Sequence, residues 1–281
     1  MPTRPTVLVT GASAGIGRAV AGQLAPTTGR MVLVARRRDA LDRLAVELRA
    51  RHASLVVDVV TCDLADHDDV DRLIGRLGLD LPMIDVLVAN AGLGHEGLFE
   101  TAAPSAVRRL IDVNVMATTL LVRAVVPGMV ERKRGAVLVI GSGAGLTLMP
   151  RQATYTATKH YLHALAQSLR AELAGTGVTV TEVCPGPVAT EFDAVAGIAP
   201  AVSGPGRALR VSAETCAAAA LAGLRRGVAV VFPGARYRAL MATQAVVPLA
   251  VHRLVVARAA RADRAALRGL ESDDRQGQLL T

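Results

Sequence analysis

Seven short runs rich in β-branched residues recur along the chain, at Val7–Thr10, Met31–Ala35, Leu55–Thr61, Ile84–Ala89, Ala136–Ile140, Val178–Cys184 and Val228–Phe232. Stretches with helical spacing lie between them. In Arg38–Arg51 the residues Leu41, Leu44, Val46 and Leu48 recur among Arg, Asp and Glu, and in Thr154–Ala174 the residues Leu162, Leu165, Leu169 and Leu173 do the same. Near-continuous apolar strands alternating with amphipathic helices bury themselves in a parallel sheet covered on both faces. The pattern predicts an α/β fold with a doubly wound, parallel seven-stranded sheet. Residues 1–234 are expected to form that domain, and 235–281 a basic helical extension packed on it or on a partner. Ligands of such sheets lie beyond the carboxyl ends of the strands, so the loops there are where chemistry is expected.

Composition narrows the reading. Hydrophobic residues make up 51% of the 281 positions but aromatics only 2%, so the core is built from Ala, Val, Leu and Ile, and disorder is excluded. A net charge of +8 would suit nucleic acid, yet three Tyr, three Phe and no Trp offer no stacking platform for it, and no nucleic-acid partner is expected. Nearly all the cations are Arg; Lys133 and Lys159 are the only lysines. The first apolar run begins at Thr6, leaving no room for a secretory signal before it. Cys62, Cys184 and Cys216 show neither pairing nor metal-ligand spacing, so no metal is expected, and they read as buried thiols in a reducing, cytoplasmic compartment. No run reaches the roughly 18 uninterrupted apolar residues of a spanning helix. Leu240–Val251 comes nearest and is broken by Thr243, Gln244 and Pro248.

After the first strand comes Thr10-Gly11-Ala12-Ser13-Ala14-Gly15-Ile16-Gly17, running straight into a helix. Gly11 permits the tight turn, Gly15 lets a pyrophosphate approach the backbone, and Gly17 allows close helix–strand packing at an N-terminus whose free N–H groups favour anions. The spacing marks a dinucleotide site. An acid about 20 residues beyond such a loop receives a ribose 2′-hydroxyl, whereas an Arg there accommodates a 2′-phosphate. Here the second strand ends in Arg36-Arg37-Arg38 with no acid. Arg38 reads as an ordinary first-turn residue, while Arg36 and Arg37 predict NADP(H) over NAD(H), because a guanidinium pairs with phosphate and stacks on adenine.

Ser142 follows the fifth strand, and Tyr155 and Lys159 stand four apart in the next helix, on one face. A phenol near pKa 10 is a poor acid–base catalyst at neutral pH, and an adjacent ammonium is expected to lower it. One of two lysines at this spacing points to a required ammonium.

These pieces, with Cys62-Asp63-Leu64, Asn90-Ala91-Gly92, Asn114 and Pro185-Gly186-Pro187-Val188-Ala189-Thr190, resemble the short-chain dehydrogenase/reductase family in type and order over about residues 6 to 232, with Ser142 thirteen residues before Tyr155. The resemblance implies a Rossmann-like sheet and assigns roles. Tyr155 is the general acid in carbonyl reduction and Ser142 bonds the substrate oxygen. Lys159 binds the nicotinamide ribose and lowers the Tyr pKa, and Asn114 holds a water in a relay to it. The cofactor contacts implied are Gly11, Ser13, Gly15, Ile16, Gly17, Arg36, Arg37, Asp63 and Leu64 on the adenosine side, with Asn90, Ala91 and Gly92. Tyr155, Lys159, Pro185, Gly186, Val188 and Thr190 lie on the nicotinamide side. The family also implies a homodimer or homotetramer through the helices after the fourth and fifth strands. Two departures stand out. Gly141 takes a place often held by Ser, and the lid segment Glu191–Arg210 has Phe192 as its only aromatic.

The remaining candidates read as structural. His160 and His163 are expected on a helix surface or subunit interface, His95 and Glu96 on a solvated loop, and the acidic run Asp66–Asp71 at a helix start. The tail from Ala235 carries eight Arg against four acids. Its basic amphipathic pattern would suit an anionic membrane surface, but Arg spacings of three to four favour a helix packed on the cleft or a subunit with solvated arginines. The expected function is hydride transfer between NADP(H) and a small apolar carbonyl or secondary alcohol. The alternative is an NADP-sensing regulatory protein on the same fold, which a damaged catalytic set would mark.

Overall fold

The computed structural model describes residues 4–197, 208–244, 246–248, 250–261 and 264. Strands β1 (Thr6–Thr10), β2 (Arg30–Ala35), β3 (Val56–Thr61), β4 (Val86–Ala89), β5 (Gly135–Ile140) and β6 (Val178–Val183) form one sheet with a final short strand, Val230–Val231. The order is β3-β2-β1-β4-β5-β6 and then the final strand, and every pairing is parallel. The seven-stranded, doubly wound sheet is therefore as expected. Chain direction across it reverses between β1 and β4, and the crevice at their carboxyl ends is the switch point.

Alternation along the strands builds two cores. Val7 and Val9 pack with Val20 and Ala21 of helix α1 (Gly15–Leu24), with Leu41 and Leu44 of α2 (Arg38–Arg51) and with the small residues Ala217 and Ala220 of a late helix, Ala213–Arg225. Leu8 faces the other way, with Leu73 of α3 (His67–Arg76), Leu121 and Val125 of α5 (Thr118–Glu131) and Leu162 of α6 (Ala153–Glu172). Asp66 caps α3 by accepting from Asp69 N–H at 3.1 Å, the structural part expected of the acidic run. All three cysteines are free and buried.

Helix α4 (Pro104–Ile111), a π turn over Asp112–Ala117 and α5 make one continuous helical run. Pro104–Glu131 is 28 residues, long and apolar enough on average to span a bilayer, although Arg108, Arg109, Asp112, Asn114 and Arg123 interrupt it, so no uninterrupted apolar run arises here. Val113, Ala117, Leu121, Val122 and Val125 nonetheless bury against the sheet. A second, two-stranded sheet, β7 (Val188–Ala189) with β8 (Val211–Ser212), was not expected; it ties the start of the lid segment, including α7 (Phe192–Val195), to its end. Residues 198–207 of the lid, and 262–263 and 265–281 of the tail, lie outside the described residues.

Candidate active site

One cavity of about 710 Å³ runs along the carboxyl ends of the strands from Arg36 to Gln244. Every predicted site residue lines it except Gly17 and Asn114, which lie behind the lining residues Asn90 and Gly92.

At the β1–α1 turn, Gly11 has φ +64°, and a Cβ there would fall 2.9 Å from the Ala91 backbone. A Cβ on Gly17 would lie 2.5 Å from the Gly11 carbonyl oxygen and overlap the Asn90 side chain. Asn90 Nδ2 donates to the carbonyls of Thr10 at 2.9 Å and Gly11 at 3.3 Å, while the Thr10 hydroxyl accepts from Asn90 and Ala91 N–H, each at 3.0 Å. The Asn90 side chain thus locks the turn to β4, and this segment presents backbone rather than an amide to the cavity. Gly17→Ala is expected to cost about 1–3 kcal/mol in denaturant unfolding, as overpacking of a dense site does, and to weaken dinucleotide binding with it. An unchanged midpoint would show that the turn is not so constrained.

Arg36 is exposed on the cavity wall and forms no ion pair among the described residues. Arg37 pairs with Glu191 at 3.0 Å and leans on the Ser13 hydroxyl at 3.4 Å, and Arg38 pairs with Asp42 at 2.8 Å. Asp63 bonds Arg109 at 2.7 Å. Burial works to raise its carboxyl, but that bond, the Ala65 N–H and the charges of Arg109 and Arg36 hold it below the ordinary carboxylate range. Asp69 orients it by accepting from Asp63 N–H at 2.8 Å.

At the other end Tyr155, Lys159 and Ser142 converge. Tyr155 is nine-tenths buried, its ring tilted against Phe192 of α7 with centroids 5.9 Å apart. Lys159 Nζ donates to the Ile140 carbonyl at 3.0 Å and lies 5.8 Å from the Tyr155 ring centroid. Burial pushes the phenol up to about 12, against a hydrogen bond with Ser142, and pulls Lys159 down to about 8. The expected lowering of the phenol by Lys159 is thus not what the site shows: burial, with the Asp193 charge, outweighs the Ser142 bond. Asn114 is fully buried, taking Leu93 N–H at 2.8 Å and donating to Thr158 Oγ1 at 3.0 Å, so the π turn is fastened to both the β4 loop and the Tyr-Lys helix. A Cβ on Gly92 would lie 3.4 Å from Asn114 Oδ1 and 3.6 Å from Lys159 Nζ; the gap between these groups exists because residue 92 is Gly.

Several functional contacts escaped the sequence. Tyr237, on the helix Ala235–Gln244, is buried against Gly143 and Gly186 and, with Leu240 and Met241, closes the cavity. Being one of three tyrosines, just past the last strand, was its only signal. His163 is partly exposed on the helix, but its Nδ1 turns inward to lie 2.7 Å from Glu182 of β6, whose side chain is fully buried. His160 bonds the Thr156 carbonyl at 2.9 Å. Nor is the His95–Glu96 loop solvated, since Glu96 pairs with Arg151 at 3.1 Å and His95 Nε2 is buried without a partner among the described residues.

A family model for short chain dehydrogenases matches residues 5–198. The 1-deoxy-11-beta-hydroxypentalenate dehydrogenase of Streptomyces exfoliatus is 41% identical over 221 residues, 77% of this chain and 78% of that one. Glycine betaine reductase of Emericella nidulans is 39% identical over 66% of this chain, which spans only 14% of that protein. Among solved structures, the short-chain dehydrogenase from Sphingobium yanoikuyae in complex with NADPH is 34% identical, with a TM-score of 0.76, covering 85% of this chain and 93% of that one. With the parallel sheet, the glycine turn and the Ser-Tyr-Lys convergence, these matches place the chain in the short-chain dehydrogenase family.

Proposed function

We propose that the protein is an NADP(H)-dependent oxidoreductase that interconverts an apolar carbonyl compound and its alcohol. The observation that carries this reading is one cavity holding Arg36 at one end and Ser142, Tyr155 and Lys159 at the other. The glycine turn fits a dinucleotide: Gly11 and Gly17 let the turn close tightly against Asn90 and Ala91, and Gly15 keeps the cavity wall open beside Thr190. Arg36 is free to meet a 2′-phosphate while Asp63 is held by Arg109. A nicotinamide cofactor bound there supplies the hydride.

The chain's own residues supply the rest. Ser142 and Tyr155 donate hydrogen bonds to the carbonyl oxygen, and Tyr155 passes its proton to the developing alkoxide. A phenol held near 12 is protonated at working pH, which suits an acid. Asn114 and Lys159, facing the gap beside Gly92, return a proton to Tyr155 through water. Leu93, Met149, Phe192, Leu240 and Met241 line the substrate end, favouring an apolar ketone, aldehyde or acyl chain. The intact catalytic set speaks against a purely regulatory role.

The helix from Ala235 covers this cleft as part of the catalytic unit, and the solvent-facing Ile111, Met116 and Tyr161 on the α4–α6 side support a homo-oligomer. Three buried thiols suit a reducing, cytoplasmic setting. The test is a panel of carbonyls and alcohols with NADPH/NADP and NADH/NAD. Because Lys159 loses its charge as pH passes about 8 while Tyr155 stays protonated, reduction is expected to decline above about pH 8. A reduction rate rising steadily to about pH 10, the ordinary phenol pKa, would contradict this assignment of Lys159.

A further inference from the structure

After the helix Ala235–Gln244, which carries Tyr237 over the cleft, the chain turns at Pro248 into a further helix over 250–261, where His252 N–H donates to the Pro248 carbonyl at 3.1 Å. The sides of that helix are reversed. At about 100° per residue, His252, Val256 and Ala260 share the half-buried side, while Val251, Leu254 and Val255 point the other way together with Arg258 and Arg261, all five exposed. Val255 is 58% exposed, and Val246, in the turn before the helix, 80%. With Val247 and Leu240 these make an apolar band open to solvent along one short stretch of chain, the kind of patch that marks an interaction surface. Its charge has one sign. No acid occurs between Glu214 and Asp263, and Arg236, Arg238, Arg253, Arg258 and Arg261 are all exposed. The far end of the helix is seated at the rim of the cavity: Arg264 pairs with Glu100, and Ala260 and Arg261 border Arg151, which stands between Met149 and Gln152 of the cavity wall. Leu240 belongs to both surfaces, lining the cavity and meeting solvent.

We propose that this helix and the turn before it form a docking surface for an anionic lipid bilayer, on which the helix lies in the interfacial plane with the mouth of the substrate cavity beside it. Apolar side chains and cations projecting to the same side are what the boundary between headgroups and acyl chains receives. Val251, Leu254 and Val255 enter the acyl region, and the guanidiniums of Arg258 and Arg261 stay at the level of the phosphates on their aliphatic stems. Each cation held near such a surface adds to the attraction, and no carboxylate in this stretch opposes it. A second copy of this chain is the poorer occupant. A self-complementary contact through this face would bring Arg258 and Arg261 against the same two charges and take them out of water without a counter-charge. The consequence for substrate rests on the proposed reduction of an apolar carbonyl: a compound dissolved in the bilayer reaches the cavity past Leu240 without crossing water. The docking itself does not depend on the reaction.

Sedimentation of the full protein with lipid vesicles reads the docking. The unaltered protein is expected to bind vesicles of about 30% phosphatidylglycerol in phosphatidylcholine at least about tenfold more strongly than phosphatidylcholine alone, and to lose most of that binding as salt rises from about 0.05 to about 0.5 M. Leu254→Ser with Val255→Ser leaves the net charge at +8 and is expected to weaken binding at least about tenfold. Arg253→Glu with Arg258→Glu should do the same through charge. All four positions are exposed, so both variants keep the fold, and reduction of a water-soluble ketone should proceed at the unaltered rate. Binding that survives the serine pair unchanged would be diffuse attraction by the whole charge and overturns the proposal. Equal sedimentation with neutral vesicles overturns it, and so does none with anionic ones, a result that needs no variant. Self-association that the serine pair abolishes, in a protein that binds no vesicles, assigns the face to a second copy instead. A protein that docks but reduces no carbonyl leaves the docking standing and sinks the functional reading.

Discussion

Tyr155→Phe is expected to lose carbonyl reduction by at least about 10²–10⁴-fold in kcat, the usual scale of a positioned acid, while NADPH still binds. The substitution removes one oxygen from a ring that is nine-tenths buried and packed on Phe192, so the surrounding contacts survive. Lys159 keeps its bond to the Ile140 carbonyl, which does not involve the phenol. Ser142 loses a partner but keeps its bond from Ala144 N–H at 3.1 Å. Turnover and binding should therefore separate: a cofactor titration like that of the unaltered protein beside a collapsed kcat. Substantial turnover in the variant would take the proton-donor role from Tyr155. If both properties fell together, the ring would be needed for the site's shape rather than its proton.

What the sequence made legible is what local spacing encodes. A four-residue interval on a helix brings Tyr155 beside Lys159, and three glycines in a strand–helix turn make a cradle whatever the distant chain does. The parallel sheet followed from apolar strands at helix-length intervals, and its boundaries held to within a residue or two, the last strand shrinking to Val230–Val231. The features that stayed hidden depend on pairings remote in sequence. The Asn90 lock on Gly17, the fit of Glu182 beside Gly141 and the cover of Tyr237 over Gly143 all join residues tens of positions apart. Periodicity has no access to such contacts. The π turn holding Asn114 was hidden for another reason: one added residue per turn leaves the apolar pattern of a helix nearly intact. His163 shows the cost of judging by residue type, since a lone helix histidine reads as surface until a buried carboxylate is found opposite it.

Arg36→Leu is expected to weaken NADPH binding by about 1.5–3 kcal/mol, the scale of a hydrogen bond to a charged group, and to leave NADH binding nearly unchanged. The effect should be local because Arg36 is exposed and makes no ion pair among the described residues, so its removal leaves no buried charge behind. Arg37 does not substitute for it fully: Glu191, 3.0 Å away, already engages its guanidinium, and Ser13 fixes its direction. The same logic gives the double variant. Arg36→Leu with Arg37→Leu should lose further NADPH affinity, and it should also loosen the Glu191 end of the lid, so that NADH suffers modestly as well. Calorimetric titration of both cofactors against both variants reads these differences directly. Equal losses for NADPH and NADH in the single variant would refute the 2′-phosphate assignment. The reason lies in the chemistry of the two ligands: they differ only in that phosphate, and a residue that discriminates between them must act there.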